Sequence, residues 1–394
     1  MPFRFNPLRK PQVSWNPEND PRSAFQKITS SIDSFRKAPK GTSNSAHTTS
    51  KTLIAVKVVR YNHSCPNEVH IIRDLPSHKS IVGYLGYYKK QPHAEKISIL
   101  LEYCPQGDLF TVRSLAIDKD RMVFSEAFMW SVYSQLMGAL AFLHEGTDNQ
   151  HRMGRAEWRP IVHRDIKLEN VLAKSLGSKD DWSGIEAKLG DFGMAGYYDP
   201  DNPNPHGYTG TTHYWPPEVT WETKRLGLAS DVWGVAAIIH ELAHNFGPLV
   251  DPQVIEKKWF LQNDEAPYLD SWPKNHKRNY WSSKAPRRPI PTNIEPSAPV
   301  PILADDRLGY DKHALAFRQC RPSPKYSGAL NDCMMAGLAM SPDERPESGQ
   351  LLRQIETAHA DILFQDLCLE HKRETIAEHE EDAQDEEDDT GSDY

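Results

Sequence analysis

Cysteines are few in this sequence, and none of them stand in closely spaced pairs. Disulfide frameworks and zinc sites both need cysteines at short, recurring intervals, which the spacing here does not supply. The pattern therefore predicts reduced thiols without a metal-binding role. The five cysteines are Cys65, Cys104, Cys320, Cys333 and Cys368.

Long hydrophobic runs are also missing. No apolar stretch approaches the roughly 18 residues that a membrane-spanning helix needs. The chain starts with Met-Pro-Phe-Arg-Phe-Asn-Pro-Leu, which lacks the apolar core of a secretory signal. We expect no membrane partner and a location inside the cell, in the cytoplasm or the nucleus.

An excess of basic charge is absent as well. The net charge is −8, and residues 378–394 alone contain ten Asp or Glu and no Lys or Arg. The rest of the chain therefore carries a charge of about +2, which gives no reason to expect nucleic acid as a partner. Residues 369–394 are predicted to form a disordered acidic tail, because they cannot bury enough surface to offset the entropy of ordering. A tail that folds back on a basic docking surface is the alternative.

What the sequence does contain is a change from strand-like to helix-like patterns along the chain. Its 394 residues are enough for one bilobal domain with insertions and tails. Strands are predicted where β-branched and apolar residues cluster, and helices where apolar residues recur every three or four positions. The predicted strands are 52–60 and 97–103, and the predicted helices are 125–144, 230–243 and 327–340.

Local signals mark where these elements begin and stop. Ser125 is a predicted N-cap, and Asn67 is predicted to cap a helix that begins at Glu68. Residues 36–51 contain almost nothing that packs and are predicted to be a flexible loop. Residues 284–301 contain six prolines, which excludes a continuous helix and indicates an extended insert.

The strongest functional signal is an ordered series of polar residues. Lys57 lies on a predicted strand, Glu68 lies on the next helix, and the segments His163-Arg-Asp-Ile-Lys-Leu-Glu-Asn170 and Asp191-Phe-Gly193 follow. Phosphoryl transfer spreads negative charge over the transferring group, so it needs cations, metal-binding oxygens and a proton acceptor already in place. The series supplies each of these, with Asp165 as the candidate base.

On these residues the chain resembles the eukaryotic protein kinase family, over roughly residues 25 to 360. Gly210–Glu218 resembles the end of a kinase activation segment, and Asp231-Val-Trp233 resembles the start of the central helix of the large lobe. Ser341–Pro346 resembles a late motif of the family. The resemblance implies an α+β, bilobal fold with a small β-rich lobe and a larger helical lobe. The implied divisions are an extension at 1–24, the small lobe at 25–103, the large lobe at 104–368 with a proline-rich insert at about 273–301, and the tail at 369–394.

The resemblance also implies a site for ATP and Mg²⁺. Glu68 would orient Lys57, and Lys167 near Asp165 would contact the transferring phosphate. Lys167 and Thr211 together are typical of kinases that act on Ser or Thr hydroxyls of protein substrates. The other implied contacts are Asn170 and Asp191 for Mg²⁺, Ala55 and Leu172 around the adenine, Leu101 behind it, the backbone of Glu102 and Cys104 at its edge, and Asp108 at the ribose.

Two sets of residues are implied to be structural rather than catalytic. One set is an internal stack anchored by a buried aspartate, and the other is an ion pair whose loss would be costly. The stack contains His163, Phe192, Ile72 and Tyr84 with Asp231 as its anchor, and the ion pair joins Glu218 to Arg345.

The sequence departs from the family at the glycine-rich turn that covers the ATP phosphates. Residues 28–36 hold serines and Asp33 but no glycine. The interval between Lys57 and Glu68 is also short, which predicts an abbreviated small lobe or a displaced helix. A pseudokinase that serves as a binding or scaffold protein is therefore the alternative to an active kinase. A small-molecule phosphotransferase is disfavoured, because the segment after Gly210 resembles a platform for protein substrates.

Arg164 predicts regulation by phosphorylation. An arginine beside the candidate base is typical of kinases in which phosphate on a loop hydroxyl orders the activation segment. Thr209 is the preferred hydroxyl, with Tyr208 and Thr212 as further candidates. A segment that is ordered without modification is the alternative.

Overall fold

The fold combines a small part rich in strands with a larger helical part, which confirms the predicted α+β class. Among the residues described, no helix is both long and apolar enough to cross a membrane. The predicted extension, the 36–51 loop and the acidic tail lie outside those residues. The computed structural model describes residues 53–61, 65–118, 124–147, 158–177, 181–202, 210–295 and 324–364.

The small lobe is built on an antiparallel sheet with strand order β1-β3-β2. The strands are β1 (Ile54–Arg60), β2 (Tyr84–Lys89) and β3 (Lys96–Glu102). Strand β3 lies in the middle and is buried along most of its length, which explains its nearly continuous apolar sequence. The register places Lys57 opposite Ile99, so the lysine lies midway along the β1-β3 pair.

Helix α1 (Asn67–Asp74) packs on this sheet through Val69, Ile71 and Ile72, all of which are buried. The prediction that Asn67 caps the helix is wrong, because Pro66 occupies the N-cap position. The Asn67 amide instead donates to the carbonyl oxygen of Ala195 at 2.6 Å. The helix is thereby joined to the segment that follows Asp191.

Packed helices form the core of the described part of the large lobe. Helix α3 (Glu126–Glu145) begins where the Ser125 hydroxyl accepts from Phe128 N–H, as predicted. It ends at Gly146, whose φ of 70° is the left-handed conformation that glycine adopts without strain. Helix α4 (Leu228–His244) is buried along most of its length, and it contacts both α3 and α7 (Gly328–Gly337). Helix α2 (Leu109–Asp118) and the helix at 348–364, called α8, pack around this core.

Short paired strands flank the segments His163–Asn170 and Asp191–Gly193. Strand β5 (Val171–Ser175) pairs with β6 (Glu186–Leu189), and β4 (Ile161–Val162) pairs with β7 (Gly196–Tyr197). Leu189 N–H donates to Ser80 O at 2.8 Å, and Val82 N–H donates to Leu189 O at 2.9 Å. These bonds join the end of β6 to the small lobe, immediately before Asp191.

The region predicted to be a proline-rich insert contains regular structure. Residues 274–284 form helix α6 (Lys274–Lys284), which faces α5 (Pro252–Gln262), and Trp281 of α6 is buried. The first part of the insert predicted at about 273–301 is therefore helical, whereas the extended stretch was predicted only for residues 284–301. The described residues from 286 to 295 contain no helix, as their prolines predict.

Candidate active site

Lys57 lies between two carboxylates. Its Nζ is 2.7 Å from Glu68 Oε2 and 2.7 Å from Asp191 Oδ1. Burial lowers the pKa of Lys57, but the hydrogen bonds to Asp191 and Glu68 outweigh burial and leave the pKa raised. The predicted pairing with Glu68 is present, so the short interval between the two residues has not displaced the helix.

The backbone conformation of Asp191 sets the position of its carboxylate. Its φ of 60° and ψ of 73° are left-handed, and its Oδ1 accepts from Gly193 N–H at 3.2 Å. Burial raises the pKa of this carboxyl, but the hydrogen bond from Lys57 and the lysine charge outweigh burial and lower the pKa overall. A carboxylate with a lowered pKa remains ionised at neutral pH, as a magnesium ligand must be.

His163 has the structural role that was predicted. Its ring lies 5.0 Å from the ring of Phe192, edge to face, and Phe192 is fully buried. Asp231 accepts from the backbone N–H of His163 at 2.6 Å and of Arg164 at 2.9 Å. Ile72 and Tyr84 belong to the same hydrophobic cluster as Phe192. These contacts fix the backbone immediately before Asp165.

Asp165 is the centre of a small polar network. Its Oδ1 accepts from the Thr211 hydroxyl at 2.8 Å, and Lys167 Nζ lies 3.0 Å from both Asp165 Oδ2 and Thr211 Oγ1. Asn170 Nδ2 donates to Asp165 Oδ2 at 2.9 Å and to its carbonyl oxygen at 2.8 Å. The carboxylate of Asp165 is therefore held by the side chains of Thr211, Lys167 and Asn170.

Asn170 and Asp191 have the donor chemistry that Mg²⁺ prefers. The amide nitrogen of Asn170 is used on Asp165, which leaves its oxygen for another ligand. Within the described ranges, no cluster of three His, Cys, Asp or Glu is arranged to hold a metal ion. Mg²⁺ in nucleotide sites is held by one or two protein groups together with phosphate oxygens, so a pair of ligands fits this metal.

The apolar residues predicted to surround the adenine lie on β1, β3 and β5 and belong to one hydrophobic cluster. Ala55 is opposite Leu101 across the β1-β3 pair, and Leu101 is 9% exposed. Leu172 of β5 forms a β-bridge with Asp108. The Asp108 carboxylate also accepts from Thr111 N–H at 2.7 Å, so it caps helix α2 in addition to any contact with a ribose.

Glu102 and Cys104 mark the segment between the lobes. The Glu102 N–H donates to Gly83 O at 2.8 Å, so this donor is used within the protein. Its carboxylate lies 2.9 Å from Lys174 Nζ and 3.3 Å from Lys188 Nζ, contacts that sequence reasoning missed. Burial raises the pKa of the Cys104 thiol to about 11, which leaves it protonated, so the side chain acts as a small buried hydrophobic group.

Two arginines hold the end of the activation segment. Arg345, whose side chain is fully buried, donates to both oxygens of Glu218 at 2.6 and 2.7 Å, which confirms the predicted ion pair. Arg287 was not predicted to have a role. It donates to the carbonyl oxygens of Trp215 at 2.5 Å and Thr212 at 2.9 Å, and burial lowers its pKa to about 10. No local signal identifies Arg287, because its partners are backbone groups far away in sequence.

The structure describes Arg164 and Thr212 but not the other residues predicted to take part in regulation. Arg164 is 3% exposed, and its guanidinium nitrogens have no hydrogen-bond partner among the described residues. Thr212 is 1% exposed, so it is not accessible for phosphorylation in this conformation. Tyr208 and Thr209 lie outside the described residues, and Thr209 stays a prediction.

Comparisons with known proteins agree with this geometry. The family model for the protein kinase domain matches residues 40–354, and the chain therefore belongs to the protein kinase family. It is 31% identical over 224 residues to the serine/threonine-protein kinase Nek1 of Toxoplasma gondii, which covers 53% of this chain and 13% of that protein. It is 32% identical over 180 residues to the serine/threonine-protein kinase Nek2 of Mus musculus, which covers 45% of this chain and 35% of that protein. The matched parts are thus only 13% and 35% of these relatives' lengths.

A solved structure of the CAK complex of Chaetomium thermophilum bound to ATP-gamma-S is also similar. The sequences are 22% identical and the TM-score is 0.46, with 76% of this chain and 81% of that chain covered. The assignment to the family rests on the family model and on the site geometry described above.

Proposed function

We propose that this protein is an ATP-dependent protein kinase that phosphorylates Ser or Thr hydroxyls of protein substrates. The observation that carries the proposal is the network of Asp165, Lys167 and Thr211, together with Lys57 held between Glu68 and Asp191. The two groups supply a proton acceptor and cations at the places where phosphoryl transfer needs them.

In the proposed reaction, Asp165 accepts the proton of the substrate hydroxyl as its oxygen attacks the γ-phosphorus and the bond to ADP breaks. Lys167 lies beside Asp165 and offsets the negative charge on the transferring group. Lys57 binds phosphate oxygens of ATP in an orientation set by Glu68. Asn170 and Asp191 would hold Mg²⁺, which supplies positive charge to the phosphates when bound.

The test is phosphorylation of a generic Ser/Thr peptide by the purified full chain with labelled ATP and Mg²⁺. We expect label on the peptide and loss of that label in Asp191→Ala. A matched control is Asp199→Ala, since Asp199 is an exposed carboxylate in the same segment. Absence of label with the native chain, despite tight ATP binding, would contradict the proposal.

A pseudokinase that acts as a binding or scaffold protein is the second candidate. It is favoured by the lack of glycine in residues 28–36, which lie outside the described residues. The presence of all four residues favours the active enzyme, with Lys57 bonded to Asp191 and Asn170 bonded to Asp165. ATP binding measured by calorimetry, compared with turnover, separates the two. Location in the cytoplasm or nucleus stays a prediction.

A further inference from the structure

Helices α5 and α6 enclose an open groove of about 820 Å³ on the large lobe, away from the catalytic residues. This volume lies within the usual range for sites that bind small molecules or short peptide segments. The surface is mainly apolar: Trp281 and Tyr268 form its floor, and Phe260 and Leu261 line it at the surface.

The apolar side chains of the groove are unusually exposed. Leu261 is 85% exposed and Phe260 is 45% exposed, and helix α5 contains no buried residue. Contiguous exposed apolar surface of this kind marks interaction sites in soluble proteins. The helix therefore presents apolar surface that the described part of the chain does not cover.

The floor of the groove is held firmly. Trp281 is 3% exposed, and its Nε1 donates to the Tyr268 hydroxyl at 3.2 Å, with the two rings 5.9 Å apart. Tyr280 packs edge to face against both Tyr268 and Trp272. Aromatic anchors fixed in this way lose little conformational entropy when a partner binds.

The charges that line the groove are mostly positive. Lys257, Lys274, Lys277 and Arg278 line it, and Glu256 is the only carboxylate among the described lining residues. Asp270 lies 4.0 Å from Lys277 but is fully exposed, so this pair neutralises the lysine weakly. A segment with acidic residues around a bulky apolar residue is the occupant that complements both the floor and the rim.

The groove is attached to the segment that follows the catalytic network. Helix α6 contacts residues Thr212–Tyr214, and Lys284 at its end lies 2.5 Å from Glu222. Arg287, three residues after α6, donates to the carbonyl oxygens of Thr212 and Trp215. The groove is thus joined through α6 and Arg287 to the segment that carries Thr211.

We propose that the groove between α5 and α6 docks protein substrates through an acidic segment that carries a bulky apolar residue, separate in sequence from the phosphorylated hydroxyl. This inference rests on the proposed kinase function for the identity of the partner. Docking at a second site would raise the local concentration of the hydroxyl at Asp165, which gives the enzyme specificity without new contacts at the catalytic residues.

The test uses the full chain and a short fluorescein-labelled peptide in which Glu and Asp flank a Leu-Phe pair. Fluorescence polarisation without ATP measures binding alone, independently of catalysis. We expect Leu261→Asp combined with Lys274→Glu to weaken binding at least about tenfold, because both the apolar contact and the charge attraction are lost. The matched control is Lys258→Glu, a lysine of the same helix that does not line the groove, and it should bind like the native chain.

A second peptide, with Gln in place of every Glu and Asp, tests the charge requirement, and we expect it to bind at least about tenfold more weakly. Equal binding by the native chain and the groove variant would overturn the proposal. So would binding that appears only after residues 378–394 are deleted, since the groove would then belong to the acidic tail. Circular dichroism melting of each variant shows whether the fold is intact.

Catalysis is followed in parallel with a Ser/Thr peptide that has no acidic segment. If that peptide is not phosphorylated but the acidic peptide binds in the groove, the proposed kinase function fails and the groove is still a docking site. If the short peptide is phosphorylated and the acidic peptide does not bind, only the docking proposal fails. When the acidic segment is joined to the Ser/Thr peptide, we expect KM to fall about tenfold with kcat unchanged.

Discussion

The catalytic network and the α5-α6 region are stabilised by different kinds of contact. In the network, Lys57, Glu68, Asp165 and Asp191 meet other polar side chains at 2.7 to 3.0 Å. The α5-α6 region is held by aromatic rings in contact with one another and by Arg287 bonded to backbone oxygens. A contact between charged side chains requires particular residue types. Aromatic packing and hydrogen bonds to backbone oxygens can be formed by many different sequences. The first region can therefore be recognised as a motif, and the second cannot.

The largest expected effect lies in the network. Asp165→Asn removes the proton acceptor while the amide preserves size and some hydrogen bonding, so turnover should fall about 10²–10⁴-fold. The thermal melting temperature should change little, because Asp165 is a polar site residue rather than a packing residue. Peptide phosphorylation with labelled ATP measures the first quantity and calorimetry the second. Near-native turnover in the Asp165→Asn, Asp191→Ala double variant would contradict the mechanism.

Lys57→Met should reduce turnover by about 10²-fold, since one cation that stabilises the transferring charge is lost. The effect on stability should be smaller, because the side chain of Lys57 is 33% exposed and water reaches the site. Steady-state kinetics and a melting curve test this. A variant that melts well below the native chain would place Lys57 in the core of the sheet instead.

Thr209→Ala tests whether a phosphate orders the segment between the two regions. We expect turnover to fall roughly tenfold, because one or more charge-assisted bonds from the buried Arg164 would be lost. Mass spectrometry of the active protein should show phosphate on Thr209 and none on the buried Thr212. Full activity of unmodified protein would favour a segment that is ordered without phosphate.

Arg287→Met tests the contacts of the α5-α6 region. The variant leaves the carbonyl oxygens of Thr212 and Trp215 without this donor, at a cost of about 1–3 kcal/mol in the free energy of unfolding. Urea unfolding measures the loss, with the exposed Arg278→Met as control. We expect a larger loss of activity toward protein substrates than toward ATP hydrolysis. A free energy equal to that of the native chain would mean that water replaces the arginine.

Deletion of residues 378–394 should have the smallest effect. The tail carries ten acidic residues and few apolar ones, so it is predicted to be disordered and dispensable for catalysis. Turnover of a peptide, measured across a range of salt concentrations, should match that of the full chain. A marked rise in turnover that depends on salt would identify the tail as an inhibitor.

Sequence reasoning succeeded where one residue type is required at one place. Lys57, Asp165, Lys167 and Asp191 were all predicted as site residues. The structure pairs Lys57 with Asp191 and joins Asp165, Lys167 and Thr211 in a second group. Asn67 shows the limit of such reasoning. Its local sequence predicts an N-cap, but its amide bonds Ala195, which is distant in sequence and unpredictable from capping rules.

The sequence by itself determined the order of the catalytic residues, because each of them stands in a short motif, and the resemblance that these motifs carry implied the α+β class and the Glu218–Arg345 pair. Only the tertiary structure decided that α6 is a helix packed against α5, that Arg287 holds Thr212 and Trp215, and that Thr212 is buried. The physical reason is that burial and backbone hydrogen bonds between distant segments depend on which surfaces meet. That information is spread over the whole chain rather than written in any local pattern.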